Sequence, residues 1–111
     1  ITNQSGIAKG LYTHEELAQL HLWMLDVFNN KSIKIKEVFY CPHYTDMGKC
    51  LCRKPGSLMI EKALAKYNID PLKSFMIGDK SRDVEAAEKL GVKGIKIVAN
   101  SSLHLIQEFV F

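Results

Sequence analysis

The sequence predicts an α/β fold with a parallel sheet, and three observations lead to that prediction. Short apolar runs rich in β-forming residues recur, stretches with apolar residues at helical spacing separate them, and polar or glycine-containing turns join the two kinds of segment. Strands that alternate with helices favour right-handed crossovers, which make the strands parallel. At 111 residues the chain is expected to form a single domain, residues 1–111, with helices flanking the sheet.

The first residues predict the end of a strand and the loop that follows it. Ile1 is expected to close the strand, and residues 2–6 to form the loop at its carboxyl end, where open α/β sheets bind ligands. Hydroxyl and amide side chains suited to a phosphoryl group lie in that loop, on Thr2, Asn3, Gln4 and Ser5. A plain turn uses the same residue types, so both interpretations stand at this point.

A helix and a second strand are predicted next. Thr13 and Glu16 match the two halves of a capping box, which predicts a helix over about residues 15–28. Apolar residues recur within it at helical spacing and predict a buried stripe formed by Leu17, Leu20, Met24, Leu25 and Phe28. Residues 33–40 have the β-forming character of a strand that leads directly into Cys41.

The second half of the sequence repeats the alternation. The predicted helices cover residues 57–67, which Ser57 can cap, and residues 81–90, and the predicted strands cover residues 74–77 and 94–99. Gly91 is expected to end the second helix, at a position that needs a positive φ. A last helix is predicted to start near residue 101 and to pack on the sheet through Leu103, Ile106 and Val110.

Composition and charge exclude several classes of protein. The net charge of +3 comes without a long basic run, so nucleic acid is not an expected partner. No apolar stretch has the length of a membrane span, and the sequence contains nothing that resembles a secretion signal. A cytoplasmic location without a membrane partner is therefore expected, in a compartment that keeps thiols reduced.

All three cysteines of the chain lie in one short segment together with a histidine. The pattern is Cys-x-His, six further residues and Cys-x-Cys, formed by Cys41, His43, Cys50 and Cys52. Side chains two residues apart on an extended chain share a face, and three thiolates with one imidazole are a standard set for structural zinc. Buried or redox-active cysteines are the alternative, but clustering without a secretion signal favours a metal. We therefore predict a zinc loop over residues 41–54.

Two adjacent cations, Arg53 and Lys54, directly follow the last cysteine, and Pro55 and Gly56 then interrupt any regular element. A loop fixed by a metal would hold these positive charges in one place. Arg binds phosphate through a planar fork and Lys as a point charge, so a phosphate is the expected ligand. The alternative is two solvated surface cations.

Two aspartates form the second chemical motif. Asp79 follows the predicted strand 74–77, after Gly78, and Asp83 lies in the first turn of the next helix. Carboxylate oxygens suit Mg²⁺, which keeps several waters and takes phosphate oxygens as further ligands. For Asp83, a favourable interaction with the helix dipole is the alternative. If the three loops meet at one edge of the sheet, a hydroxyl, two cations and a magnesium-binding carboxylate describe a phosphoryl-transfer site.

These motifs together resemble the HAD-like phosphatases, and among them the group of heptose-bisphosphate 7-phosphatases and histidinol-phosphate phosphatases. The matching segments are residues 2–10, Cys41-Pro42-His43 with Cys50-x-Cys52-Arg53-Lys54-Pro55, and Gly78-Asp79-Lys80-x-x-Asp83. The resemblance implies a Rossmann-like parallel sheet with flanking helices. It also implies magnesium and zinc as cofactors, a small phosphate ester as substrate, and a complete protein that is a monomer.

The resemblance also implies roles for individual residues. Thr2 and its neighbours Asn3, Gln4 and Ser5 would hold the transferring phosphoryl group. Arg53 and Lys54 would contact the substrate, with Lys54 also countering the charge on the nucleophile. Asp79 would bind Mg²⁺, with Lys80 and Asp83 in support. Structural zinc would be bound by Cys41, His43, Cys50 and Cys52.

The sequence departs from the family at the nucleophile. HAD-like phosphatases form an aspartyl-phosphate on an Asp-x-Asp motif that would precede Thr2, and these 111 residues do not supply it. The chain is therefore expected to be the carboxyl-terminal part of a phosphatase domain, incomplete at its N-terminus and inactive alone.

The parent protein is expected to hydrolyse the 7-phosphate of D-glycero-D-manno-heptose 1,7-bisphosphate. Histidinol phosphate is the alternative substrate. Two other classes stay open: a relative of DNA 3′-phosphatases, and a zinc module that binds phosphate without catalysis.

Overall fold

The computed structural model describes residues 1–44 and 50–107. It divides into two compact units, Ile1–Arg53 and Lys54–Phe111. Each unit contains one two-stranded sheet, and both sheets are parallel. The predicted α/β class with parallel strands is confirmed, whereas the expectation of a single domain stays a prediction.

The first unit contains β1 (Thr2–Asn3), α1 (His14–Asn30) and β2 (Tyr40–Cys41). β1 and β2 pair in parallel, with Asn3 opposite Cys41. The pairing is extended by one backbone hydrogen bond beyond β1, in which the N–H of Gln4 donates to the carbonyl oxygen of Cys41 at 2.7 Å. The loop after β1 is thereby fixed beside the first residue of the Cys–His motif.

Both strand predictions in this unit need correction. The strand predicted to close at Ile1 is β1 and covers Thr2–Asn3, and the strand predicted over residues 33–40 is reduced to Tyr40–Cys41. A strand exists only where a neighbour completes its hydrogen bonds. β1 offers two residues, and the N–H of Thr2 reaches back only as far as the carbonyl of Phe39.

Helix α1 confirms the capping box but not the whole buried stripe. The amide of Glu16 donates to the Thr13 hydroxyl oxygen at 3.1 Å, and the amide of Thr13 donates to the Glu16 carboxylate at 3.3 Å. Leu17 is buried, but Leu20 is 55% exposed and Trp23 is 64% exposed. Among residues 1–44 and 50–53, two short strands are available to cover a helix of 17 residues, so most of the apolar side chains of the helix are half-buried or exposed.

The second unit is built from α2 (Leu58–Lys66), β3 (Phe75–Gly78), α3 (Ser81–Glu88) and β4 (Lys93–Lys96), with a 3₁₀ turn (Pro71–Lys73) before β3. β3 pairs with β4 in parallel. A side chain at Gly94 would collide with Val84 of α3, so the glycine lets the helix lie directly on the sheet. Gly91 has a φ of +77°, as predicted for the end of this helix.

One helix prediction in this unit is corrected, and another falls partly outside the described residues. Ser57 does not cap α2 through its side chain, because its hydroxyl donates to the Glu61 carboxylate at 3.0 Å. In the described part of the last predicted helix, Leu103–Ile106 form a 3₁₀ turn, and residues 108–111 lie outside the described residues. Ile106 is buried there, whereas Leu103 is 61% exposed. Val110 lies outside the described residues.

Within the part of the chain that the structure describes, no helix combines the length and the apolar character needed to cross a bilayer.

Candidate active site

The four predicted zinc ligands lie together in the first unit. One ligand atom from each of Cys41, His43, Cys50 and Cys52 falls within 4.8 Å of all the others. Strand β2 places the first ligand, since Cys41 is paired with Asn3 and completely buried. The Cys-x-His and Cys-x-Cys halves thus converge, although residues 45–49 between them lie outside the described residues.

The distances within this Cys–His cluster match a tetrahedral metal site. The sulfur of Cys50 lies 3.7 Å from that of Cys41 and 4.0 Å from that of Cys52. The Nδ1 atom of His43 lies 3.4 Å from the Cys41 sulfur and 3.2 Å from the Cys52 sulfur. Four ligands around Zn²⁺ at its usual bond lengths would stand about 3.8 Å apart between sulfurs and about 3.6 Å apart between sulfur and nitrogen.

The thiols of the cluster have different protonation behaviour. Burial and, to a lesser extent, the neighbouring Cys52 thiol raise the pKa of Cys41 to about 12. For Cys50, burial acts in the same direction, but the backbone N–H of Arg53 and the adjacent thiols stabilise the thiolate and lower its pKa overall. A cation that binds here must therefore displace the proton of Cys41, while Cys50 is already disposed to ionise.

The loop after β1 carries a chain of side-chain hydrogen bonds. The Nε2 amide of Gln4 donates to the hydroxyl oxygen of Thr2 at 3.0 Å, and the hydroxyl of Tyr12 donates to Oε1 of Gln4. A side chain at Gly6 would overlap the Tyr12 ring, so this glycine allows the ring to lie against the loop. The role of Tyr12 could not be predicted from the sequence, because an aromatic residue before a helix has many ordinary uses.

A buried ion pair dominates the candidate site of the second unit. The ammonium of Lys54 lies 2.5 Å from Oδ1 of Asp83, and the two residues are 8% and 4% exposed. The other carboxylate oxygen of Asp83 accepts the backbone N–H of Lys80 at 3.0 Å. Lys54 is therefore not the solvated surface cation that was the alternative interpretation.

The local fold explains how Asp83 reaches this position. Asp83 is at the third position of α3, where a carboxylate can cap the helix, and it accepts the amide of the N-cap residue Lys80. A side chain at Gly78 would collide with the Asp83 carboxyl group, so the glycine that ends β3 makes room for it. Asp83 thus interacts with the helix N-terminus, as the alternative interpretation predicted, and it also contacts Lys54.

The charge of this pair follows from its surroundings. Burial would raise the pKa of Asp83, but the hydrogen bond from Lys54, the N–H of Lys80 and the positive charge of Lys54 together lower it below its usual value. Asp83 is consequently an anion at neutral pH. One of its oxygens bonds to Lys54 and the other bonds to the helix N-terminus. The support of Mg²⁺ that the sequence predicted for Asp83 stays a prediction.

The remaining predicted residues are placed as follows. Asp79 and Lys80 are exposed directly after β3, at the carboxyl end of the β3–β4 sheet. Arg53 is half-buried, with its backbone N–H bonded to the Cys50 thiol in the first unit. Ser5 and Asn3 lie half-buried in and before the loop after β1. That all three loops meet at one site stays a prediction.

Comparisons with known proteins support the chemistry that these groups imply. A family model described as HAD-hydrolase-like matches residues 51–101, which include both Lys54 and Asp83. The D-glycero-alpha-D-manno-heptose-1,7-bisphosphate 7-phosphatase of Photorhabdus laumondii is 42% identical over 98 residues, 83% of this chain and 54% of that protein. The chain belongs to the HAD-like hydrolases.

Two further relatives of this HAD-like chain are informative. The histidine biosynthesis bifunctional protein HisB of Buchnera aphidicola is 40% identical over 96 residues, 86% of this chain and 26% of that protein. The crystal structure of D,D-heptose 1,7-bisphosphate phosphatase from B. bronchiseptica, complexed with magnesium and phosphate, superposes with a TM-score of 0.74 at 33% identity. The match covers 83% of this chain and 51% of that chain. The chain spans about half the length of the heptose-bisphosphate phosphatases that it matches.

Proposed function

We propose that the protein containing these residues is a magnesium-dependent phosphatase that removes the 7-phosphate of D-glycero-D-manno-heptose 1,7-bisphosphate. The observation that carries the proposal is the buried Lys54–Asp83 pair, together with an exposed carboxylate, Asp79, which lies four residues before Asp83 at the carboxyl end of a parallel strand. A buried cation of fixed position beside an oxygen ligand for Mg²⁺ is what transfer of a phosphoryl group requires.

Individual groups of this chain have separate roles in the proposed reaction. The ammonium of Lys54 offsets negative charge at the reacting centre, and its ion pair with Asp83 holds it in place before substrate arrives. Asp79 provides a carboxylate at the sheet edge, and the hydroxyl of Thr2 donates to a phosphoryl oxygen. Bound through Asp79, Mg²⁺ would neutralise charge on the phosphate oxygens.

The preference for a heptose bisphosphate rests on the relatives. The Photorhabdus and B. bronchiseptica proteins carry that substrate in their names, and each matches 83% of this chain. HisB supports histidinol phosphate as the second candidate, since its identity to this chain is nearly as high. Arg53 is the residue of this chain that we assign to contact the substrate.

We further propose that Cys41, His43, Cys50 and Cys52 bind a structural zinc ion. The fit of their distances to a tetrahedron supports this set, and so does the all-protein character of the site, which has four ligands and needs no water. The amide of Arg53 bonds to the Cys50 sulfur, so the metal would fix the backbone from which Arg53 projects.

The experiment that tests the phosphatase is phosphate release by the full-length protein, with Mg²⁺ and with each of the two candidate esters. We expect turnover of the heptose bisphosphate to exceed that of histidinol phosphate and to disappear in Asp79→Asn. Asp26→Asn is the matched control, because Asp26 is an exposed carboxylate on α1, and it should keep full activity.

Three results would contradict the proposal. Equal activity in Asp79→Asn or in the absence of a divalent cation would remove the role of Asp79. Preference for histidinol phosphate or for a 3′-phosphorylated DNA end would replace the substrate. Tight phosphate binding without turnover would favour a module that binds phosphate and performs no catalysis.

A further inference from the structure

The hydrogen-bond chain on the loop after β1 has a direction. An amide nitrogen can only donate, so Nε2 of Gln4 uses one lone pair of the Thr2 hydroxyl oxygen, at 3.0 Å. The opposite end of the same amide, Oε1, can only accept, and the hydroxyl of Tyr12 supplies that hydrogen. The amide of Gln4 is thereby held with its nitrogen towards Thr2.

This direction determines where the hydrogen of Thr2 goes. Because the Thr2 oxygen accepts from Gln4, its own hydrogen must point to another acceptor. The described acceptor is the carbonyl oxygen of Asn3 at 3.4 Å, which is long for a hydroxyl hydrogen bond, whose usual length is about 2.7–2.8 Å. A phosphoryl oxygen is a stronger acceptor, and at neutral pH it is acceptor only, so it would readily take this hydrogen.

We propose that Gln4 and Tyr12 are positioning residues that orient the Thr2 hydroxyl as a donor to the phosphoryl group. The inference rests on the proposed phosphatase function and assigns to Gln4 an action through Thr2. Gly6 belongs to the same device, because a side chain there would displace the Tyr12 ring from its place against the loop. The Thr-Asn-Gln-Ser-Gly run therefore needs its glutamine and its glycine for one purpose.

A double-mutant cycle on the full-length enzyme tests this coupling. Gln4→Met keeps the length of the side chain and removes both hydrogen bonds. We expect it to lower kcat/KM about tenfold in the wild-type background, the effect of about one hydrogen bond. In the Thr2→Val background, where no hydroxyl remains to orient, the same substitution should change kcat/KM by less than about twofold, since coupled residues are not additive.

A milder variant keeps the test valid if Gln4→Met does not fold. Tyr12→Phe removes one oxygen and retains the ring against Gly6, and we expect a loss of about threefold that also disappears in Thr2→Val. Gln19→Met, at an exposed position of α1, and Tyr67→Phe in the second unit are the matched controls and should leave kcat/KM unchanged in both backgrounds.

The outcomes separate this inference from the function on which it rests. If the wild-type enzyme releases phosphate and Thr2→Val lowers the rate, but Gln4→Met costs the same factor in both backgrounds, Gln4 only supports the loop and the inference is wrong. If Gln4→Met leaves or raises kcat/KM, Gln4 does not orient the Thr2 hydroxyl towards the phosphoryl group, and the inference also fails. Absence of phosphate release by the wild-type protein would instead contradict the proposed function.

Discussion

The Cys–His cluster of the first unit and the Lys54–Asp83 pair of the second unit are held together by different physical interactions. The cluster gathers ligands from a short segment, residues 41–52, whose mutual contacts are between weakly hydrogen-bonding thiols and one imidazole. The pair joins residues 29 positions apart through opposite charges that are both buried. The cluster should therefore depend on a metal and the pair on its charge state, so that each can be perturbed without the other.

Removal of zinc is the largest expected effect. Structural zinc in small sites contributes about 10–16 kcal/mol of binding free energy, most of which appears as folding free energy. We expect about one zinc per chain by elemental analysis, and loss of the Tyr40–Cys41 pairing after chelation, detected by amide hydrogen exchange in the first unit. Because the Cys41 thiol must lose its proton, zinc titration should release protons and zinc affinity should rise with pH.

Cys41→Ser tests the same site by substitution of a ligand. It should lower the zinc content well below one ion per chain and leave hydrogen exchange in β3 and β4 unchanged. Ser101→Ala, far along the sequence from the ligand segment, should retain full zinc content. Zinc-free protein with three freely titratable thiols and an unaltered exchange pattern would contradict the metal site and leave a group of reduced cysteines.

Loss of the charge on Lys54 is the next largest effect. Removing one preorganised charge from a transition state lowers the rate by roughly 10²–10³, so Lys54→Ala in the full-length enzyme should lose activity on that scale. Zinc content should not change, because Lys54 is not a ligand of the cluster. The measurement is kcat by phosphate release, with Lys62→Ala on the exposed face of α2 as the control. Near wild-type turnover in Lys54→Ala would remove its assigned role.

Neutralising Asp83 should lower the free energy of unfolding. Asp83→Asn keeps the shape of the side chain but replaces a charge-assisted hydrogen bond with a neutral one, and we expect a loss of about 2 kcal/mol in the free energy of unfolding. Urea denaturation of the zinc-loaded protein measures it. Glu85→Gln, an exposed carboxylate on the same helix, should cost little. A loss as small in Asp83→Asn as in Glu85→Gln would show that the pair contributes no stability.

The sequence predicted the parts of the molecule that depend on local chemistry. Thr13 and Glu16 cap α1 because both hydrogen bonds are made within four residues. The Cys–His cluster could be predicted because its ligands lie close in sequence and the chemistry of zinc selects them. The fold class followed from the alternation of strands and helices and is confirmed by the parallel pairing in both units.

The predictions that failed share one cause. Whether a residue joins a strand or becomes buried depends on a second segment of the chain, which the local sequence does not specify. The strand predicted over residues 33–40 has β-forming residues, but only two of its positions find a neighbour in β1. Leu20 has helical spacing and remains 55% exposed because the unit does not cover it. The contacts from Lys54 to Asp83 and from Tyr12 to Gln4 bridge separate segments, and neither residue's own neighbours in sequence indicate the partner.

The smallest expected effect is a pH dependence that distinguishes the pair from the cluster. The pKa of Asp83 is lowered in the folded protein, so its contribution to stability is fully present above the pKa of an unfolded aspartate, about 3.9, and is lost as pH falls through the lower folded value. The free energy of unfolding should therefore differ between wild type and Asp83→Asn by a constant amount from pH 7 to about pH 5, and by a shrinking amount below about pH 4.

Acid also releases zinc from the cluster, but it does so in both proteins, and the difference between them at each pH cancels that loss. Hydrogen exchange of β3 and β4 amides gives the same comparison within the second unit. A difference that stays constant down to pH 3, or that shrinks already between pH 7 and pH 5, would mean that the Asp83 carboxylate does not titrate as an ion paired with Lys54.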